Sequence, residues 1–183
     1  MKQSIVYNKK FAVCATIIVI SLSFLFGGTK SLNAERNKAV REFRNGSDGK
    51  SIAYYVESIS DIALGDIALN AQSLNMTDDK DIKALLSAST AVRNAENSKN
   101  KSVDKYYENY RAMITSIDSL KRNDASLVTN LIPTTVSLPR SIIRNDNYNA
   151  MAADFNKELN KVPALIFKLM GMAKTLPVFT EVD

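Results

Sequence analysis

The chain has 183 residues and a formal net charge of +5, with one cysteine, no histidine and no tryptophan. The missing histidines exclude the usual histidine-assisted nucleophiles and histidine-based metal sites of helical bundles, and a single cysteine excludes a disulfide framework. Lys2, Lys9 and Lys10 carry three of the positive charges, so the rest of the chain stands near +2 with interspersed signs, unlike the basic face of a nucleic-acid binder.

Residues 1–10 form a basic flank. Phe11 to Gly28 follows as an uncharged apolar run between Lys10 and Lys30. As a helix this run is about 27 Å long, close to the ~30 Å hydrocarbon layer of a bilayer. Its β-branched residues Thr16 to Ile20 do not oppose a helix, because in lipid a single segment satisfies its backbone groups only that way. Cys14 reads as a small apolar side chain within the run. A cleaved secretory signal is the competing reading. No good small-x-small cleavage pattern closes the run, and Leu32-Asn-Ala34 lies late, so an uncleaved transmembrane anchor is expected. Three basic residues precede the run and five follow it closely, which leans toward a cytoplasmic bundle. A basic flank equally suits a signal-anchor that exports its C-terminal part, so the side of the membrane stays open.

Past the anchor, Leu32, Ala39, Val40 and Phe43 recur at helical spacing and predict a basic juxtamembrane helix over 29–45. It ends at the turn Asn45-Gly-Ser-Asp-Gly-Lys50. A strongly amphipathic helix is expected over 51–75, with Ile52, Tyr55, Val56, Ile59, Ile62, Ala63, Ile67, Asn70 and Leu74 in its stripe. Gly65 inside it suggests close helix contact. Thr77 is the expected N-cap of a helix over 78–97, with Asp78 and Asp79 in its first turn. Residues 97–102 read as a loop, and Ser102 as the cap of a helix over 103–122. The next segment has helical period, but Pro133 and Pro139 predict a kinked or broken element. A helix over 145–161 presents Tyr148, Met151, Ala152, Phe155 and Leu159 inward. Pro163 breaks it, a short apolar helix runs to a stop at Gly171, and the tail is extended, with Pro177 and Phe179 folding back. The predicted fold class is all-α: an antiparallel helical bundle of about four main helices, one kinked by proline, preceded by a single N-terminal transmembrane helix. The divisions are the flank 1–10, the anchor 11–28, the juxtamembrane helix and turn 29–50, the bundle 51–172 and the tail 173–183.

Candidates for chemistry are few. Ser58 and Ser60 near Lys50, and Ser141 near Arg140, form no recognised nucleophile motif. Asp61 and Asp66 form a carboxylate pair on a mostly apolar helix. Tyr54, Tyr55, Tyr106, Tyr107, Tyr110 and Tyr148 fall at helical spacing, where tyrosine serves a core more often than a ligand. The reading is a non-enzyme with no catalytic residue, no cofactor, no metal and no nucleic acid. Its expected partners are the lipid bilayer, through residues 11–28, and an unidentified protein.

Two stretches carry a family resemblance. Tyr148 to Phe179 contains Tyr148-Asn149 and, seven residues on, Phe155-Asn156, then Pro163, Leu169-Met-Gly171 and Pro177-Val-Phe179. Upstream, Gly27 to Ile52 joins an anchor, a basic helix and a turn of the form Asn-Gly-x-Asp-Gly. Together they resemble the LemA family of bacterial membrane-anchored proteins, in clostridial-type form, over about a third of the chain. Met170 and Met172 depart from that pattern, standing where aromatics are usual. The segment around Pro133 and Pro139 departs too, replacing a usually uninterrupted helix. The resemblance implies a single-pass membrane protein with an antiparallel bundle, usually cytoplasmic, and no defined biochemical role. The aromatic–Asn pairs would put Tyr148 and Phe155 on one helix face. Asn149 and Asn156 would lie on the neighbouring stripe, to bond another helix and set its register, or to line a partner-binding groove. The function expected is a non-enzymatic scaffold or protein-interaction module at the bacterial cell membrane. The alternative is an exported or surface helical protein, cleaved near 28–34, that binds an envelope component.

Overall fold

A computed structural model describes residues 9–46, 49–96, 102–123 and 136–180. The fold is all-α, and among the described residues there is no strand. Helix α1 spans Lys9–Asn45 without a break, 37 residues, or about 55 Å of rise. Its two halves have different surroundings. From Phe11 to Phe24 nearly every side chain is exposed, whereas Ala39 and Phe43 near the other end are buried in the core. One helix thus joins the apolar run to the bundle, and the predicted juxtamembrane helix is its continuation. The apolar half is the one helix among the described residues long and apolar enough to cross a membrane. Within it the Thr16 hydroxyl donates to the Ala12 carbonyl one turn back, and Thr29 does the same to Leu25.

Gly46 follows α1 at φ +63, and a Cβ there would run into the Lys50 carbonyl, so this turn requires glycine. Helix α2 (Ile52–Ile62) is capped by Ser51, whose Oγ accepts the Tyr54 N–H at 3.1 Å. It passes through a π-helical turn over Ala63–Ile67 into α3 (Ala68–Ser73). Gly65 lies in that turn, exposed, with nothing within 4 Å of where a Cβ would stand. The expected close helix contact is absent there, and the glycine marks the widened turn instead. Helix α3 ends on Asn75 at φ +56. The Met76 N–H bonds the Ala71 carbonyl and the Asn75 N–H bonds that of Gln72, the paired bonds of a Schellman stop.

Helix α4 (Lys80–Glu96) begins later than expected, and its cap is Asp79 rather than Thr77. Asp79 Oδ1 accepts the N–H groups of Asp81 at 2.8 Å and Ile82 at 3.1 Å. A carboxylate in that position meets the exposed donors and the helix dipole together, which a threonine two residues upstream cannot do. Helix α5 (Val103–Asn123) follows, with the Ser102 carbonyl accepting the Tyr106 N–H. Helices α4 and α5 make the most extensive pairing of the bundle. The expected loop over 97–102 lies outside the described residues apart from Ser102, and so does Pro133.

Helix α6 covers Ser137–Asn145 and α7 covers Asn147–Glu158. Pro139 is the third residue of α6, in the first turn, where its missing N–H has no intrahelical partner to lose. It therefore opens a helix rather than kinking one. The helix expected from Asn145 starts two residues later. Asp146 turns the chain, with Oδ1 accepting the Tyr148 N–H at 2.8 Å. Burial raises the Asp146 carboxyl above its ordinary range, opposed by that backbone bond and assisted by the Glu42 carboxylate. Pro163, after a cis Val162–Pro163 bond, precedes α8 (Ala164–Leu169). Gly171 ends α8 at φ +71. The Met172 N–H bonds the Phe167 carbonyl, and the Gly171 N–H bonds that of Lys168.

Candidate functional site

Helix α7 carries Tyr148, Asn149, Phe155 and Asn156. Tyr148 and Phe155 are buried with Ala152 and Leu159 in the core. The two asparagines, seven residues apart, face the same way about 10.5 Å apart along the helix. What they meet is the extended tail, not another main helix as expected. Asn156 Oδ1 accepts the Leu176 N–H at 2.8 Å and its Nδ2 donates to the Leu176 carbonyl at 2.7 Å. Asn149 repeats the pattern on Phe179: Oδ1 accepts the Phe179 N–H at 2.7 Å and Nδ2 donates to the Phe179 carbonyl at 3.3 Å. Asn149 Nδ2 also reaches the carbonyls of Ile143 at 2.7 Å and Arg144 at 3.2 Å, closing the end of α6.

The spacings match. Two turns of α-helix rise about 10.5 Å, and three residues of polyproline-type chain rise roughly 9 Å and return to the same side. Each primary amide has a donor and an acceptor, so it can bind the N–H and C=O of one extended residue at once. The Tyr148 hydroxyl donates to the Pro177 carbonyl at 2.8 Å, between the two clamps. Pro177 has no N–H, so nothing is orphaned at that position. Burial pushes the Tyr148 phenol above its ordinary range, with Asp104 acting in the same direction, and keeps it a neutral donor.

At the two clamped residues the tail delivers Leu176 and Phe179 into the core. Phe179 is wholly buried, with ring centroids 5.2 Å from Tyr107, 5.6 Å from Tyr110, 5.7 Å from Phe43 and 5.9 Å from Tyr148. These rings come from α5, α1 and α7. The sequence offered these tyrosines as core rather than ligand box, and the ring they enclose belongs to the same chain. The groove considered for a partner is filled by residues 175–180 of this protein.

The remaining candidates stay apart from this site. Asp61 is exposed and pairs with Arg93 at 3.0 Å, and Asp66 is exposed in the π-helical turn. Ser60 is buried, its hydroxyl donating to the Ser89 carbonyl at 2.7 Å to tie α2 to α4. Tyr106 donates to Glu57 at 2.5 Å from a buried ring, while Tyr54 is exposed. A cavity of about 460 Å³ opens between α5 and α6, with Lys121, Arg140 and Arg144 among its lining. Arg140 is already held by both oxygens of Asp118, at 2.8 and 2.9 Å. Among the described residues no three His, Cys, Asp or Glu side chains are grouped to hold a metal ion.

The clamp was missed in sequence reasoning because helical period assigns Asn149 and Asn156 to a face without saying what covers it. The signal that could have found it is the pairing of two amides seven apart with two apolar residues three apart around a proline. No protein-family model, curated protein or solved structure matches the chain.

Proposed function

We propose that this is a single-pass, membrane-anchored helical-bundle protein that works as a non-enzymatic scaffold or interaction module at a bacterial cell membrane, of the LemA type. The observation that carries the reading is α1. Its exposed apolar half suits lipid, and the same unbroken helix contributes Ala39 and Phe43 to the core. Cleavage near 28–34 would cut this helix and detach Phe24, whose ring stacks on Phe167 at 5.4 Å. That contact favours the retained anchor over the exported alternative.

The non-enzymatic part rests on how the candidate groups are used. The tyrosines other than exposed Tyr54 pack or bond within the fold, the two candidate aspartates face solvent, and Asn149 and Asn156 are spent on the chain's own tail. Of the residues that carry the resemblance to LemA proteins, Tyr148, Asn149, Asn156, Pro177 and Phe179 meet in the clamp, while Phe155 lies in the core and Pro163 and Gly171 bound α8.

The test is N-terminal sequencing and mass measurement of the mature protein recovered from carbonate-washed membranes. An intact N-terminus in the membrane pellet is expected. A soluble chain beginning between 28 and 34 would favour the exported alternative.

A further inference from the structure

Helix α8 climbs α1 toward the apolar run. Val162, Pro163 and Ala164 share a cleft with Ser31, Leu32 and Glu35. Three residues beyond Ala164, Phe167 stacks on Phe24 and leaves no room for a Cβ on Gly28. Phe24 lies four residues inside the apolar run, about 6 Å from its end at Gly28. The chain then turns back at Gly171 and descends to the clamp, where Phe179 meets Phe43, about 28 Å further down α1.

The turn at the top is apolar and uncovered. Leu169 is 79% exposed, Met170 52% and Met172 45%, with Ile166 exposed beside them. Surface hydrophobics scattered singly need no explanation, but four within seven residues at one tip do. Along the chain the turn carries charge of one sign, Lys168 and Lys174, with no Asp or Glu between Glu158 and Glu181; the nearest carboxylates, Glu35 and Glu158, line the cleft at the lower end of α8, where Glu158 pairs with Lys161.

We infer that the turn from Ile166 to Met172 is a second membrane contact, inserting Leu169, Met170 and Met172 at the headgroup–acyl boundary of the bilayer that α1 crosses. The inference rests on the reading of α1 as a membrane anchor. The level of Phe24 fixes the depth, since interfacial apolar groups sit roughly 5–10 Å into that boundary. Lys168, whose ammonium bonds the Asn160 side chain at 2.7 Å, and Lys174 flank the turn and supply the cationic groups that anionic headgroups attract. The bundle is then seated on the membrane with a defined tilt rather than hanging from a single helix.

The test uses the full chain, with Cys14→Ala, in vesicles of mixed zwitterionic and anionic phospholipid. Nitroxide spin labels are placed singly at Ile18→Cys, Met170→Cys and Lys105→Cys, and collisions with oxygen are compared with collisions with a water-soluble nickel chelate. Oxygen should dominate at positions 18 and 170, most strongly at 18, and nickel at 105. A label at 170 that matches 105 while 18 stays in lipid would overturn the second contact and leave the anchor standing. Aqueous values at both 18 and 170 would overturn both. The substituted side chains are exposed, so the fold is expected to survive, with the spectrum at Lys105→Cys as its control.

Discussion

Phe179→Ala removes the ring that the tail inserts among Phe43, Tyr107, Tyr110 and Tyr148. Truncating a fully buried phenylalanine costs about 3–5 kcal/mol through lost transfer energy and the cavity left behind. Against a typical domain stability of about 5–15 kcal/mol, that is a large share. The loss has a natural ceiling. If the ring supplies most of the docking energy, the variant tail lets go of Asn149 and Asn156 and the cost stops at the free energy of docking. A chain ending at Thr175 measures that ceiling directly. The assay is urea unfolding of the full chain in detergent micelles, followed by tyrosine fluorescence, since the sequence has no tryptophan. Phe179→Ala should lower stability by at least about 3 kcal/mol, or by as much as the truncation does if that is smaller. Asn149→Ala should lose part of the same energy non-additively, because the two residues share one set of bonds. A Phe179→Ala loss below about 1 kcal/mol beside a much larger truncation loss would refute the ring as the source of docking energy.

Gly65→Ala should raise stability by about 0.5–1 kcal/mol in the same unfolding assay, since the position is exposed, open and helical. A fall would mean that the π-helical turn depends on glycine. Asp146→Asn tests the raised carboxyl. Burial penalises the charged form in the fold, so the penalty is absent below the unfolded value near 3.8 and develops as pH rises through the folded one. Asparagine caps about as well as aspartate. The variant should therefore gain stability relative to wild type as pH rises from about 3 to 7, and a gain confined to acid pH would reverse the assignment.

The helices were legible because their apolar stripes keep one period. Ile52, Val56, Ile59, Ala63 and Ile67 are buried on the face that their spacing assigns, Tyr55, Ile62 and Asn70 are half-buried beside them, and only Leu74, at the end of the stripe, is exposed. The stop at Gly171 needed only the residue type, since few others take a positive φ without strain. The cap of α4 was harder. Thr77 and Asp79 both carry suitable oxygens, and only the final start of the helix decides between them. Pro139 was harder to place for a related reason: the same proline breaks a helix from its middle and opens one from its first turn, and periodicity alone does not locate the start of α6. The clamp depended on contact between residues about 20 to 30 apart in sequence, which the helical period of α7 does not contain and only the matched spacings of α7 and the tail suggest. Residues 175–180 carry weak secondary-structure signal of their own and lie extended against α7, with Phe179 reaching rings of α1 and α5.

The apolar run provides its own probe, because the sole cysteine lies inside it at Cys14. Membranes containing the native protein can be treated with a membrane-impermeant maleimide before and after dissolution in detergent and denaturant. Embedded in hydrocarbon, Cys14 should resist labelling from either face of the membrane and react fully once dissolved. Ready labelling in intact membranes, or no labelling even after dissolution because the segment has been removed, would contradict an anchor that stays in the bilayer.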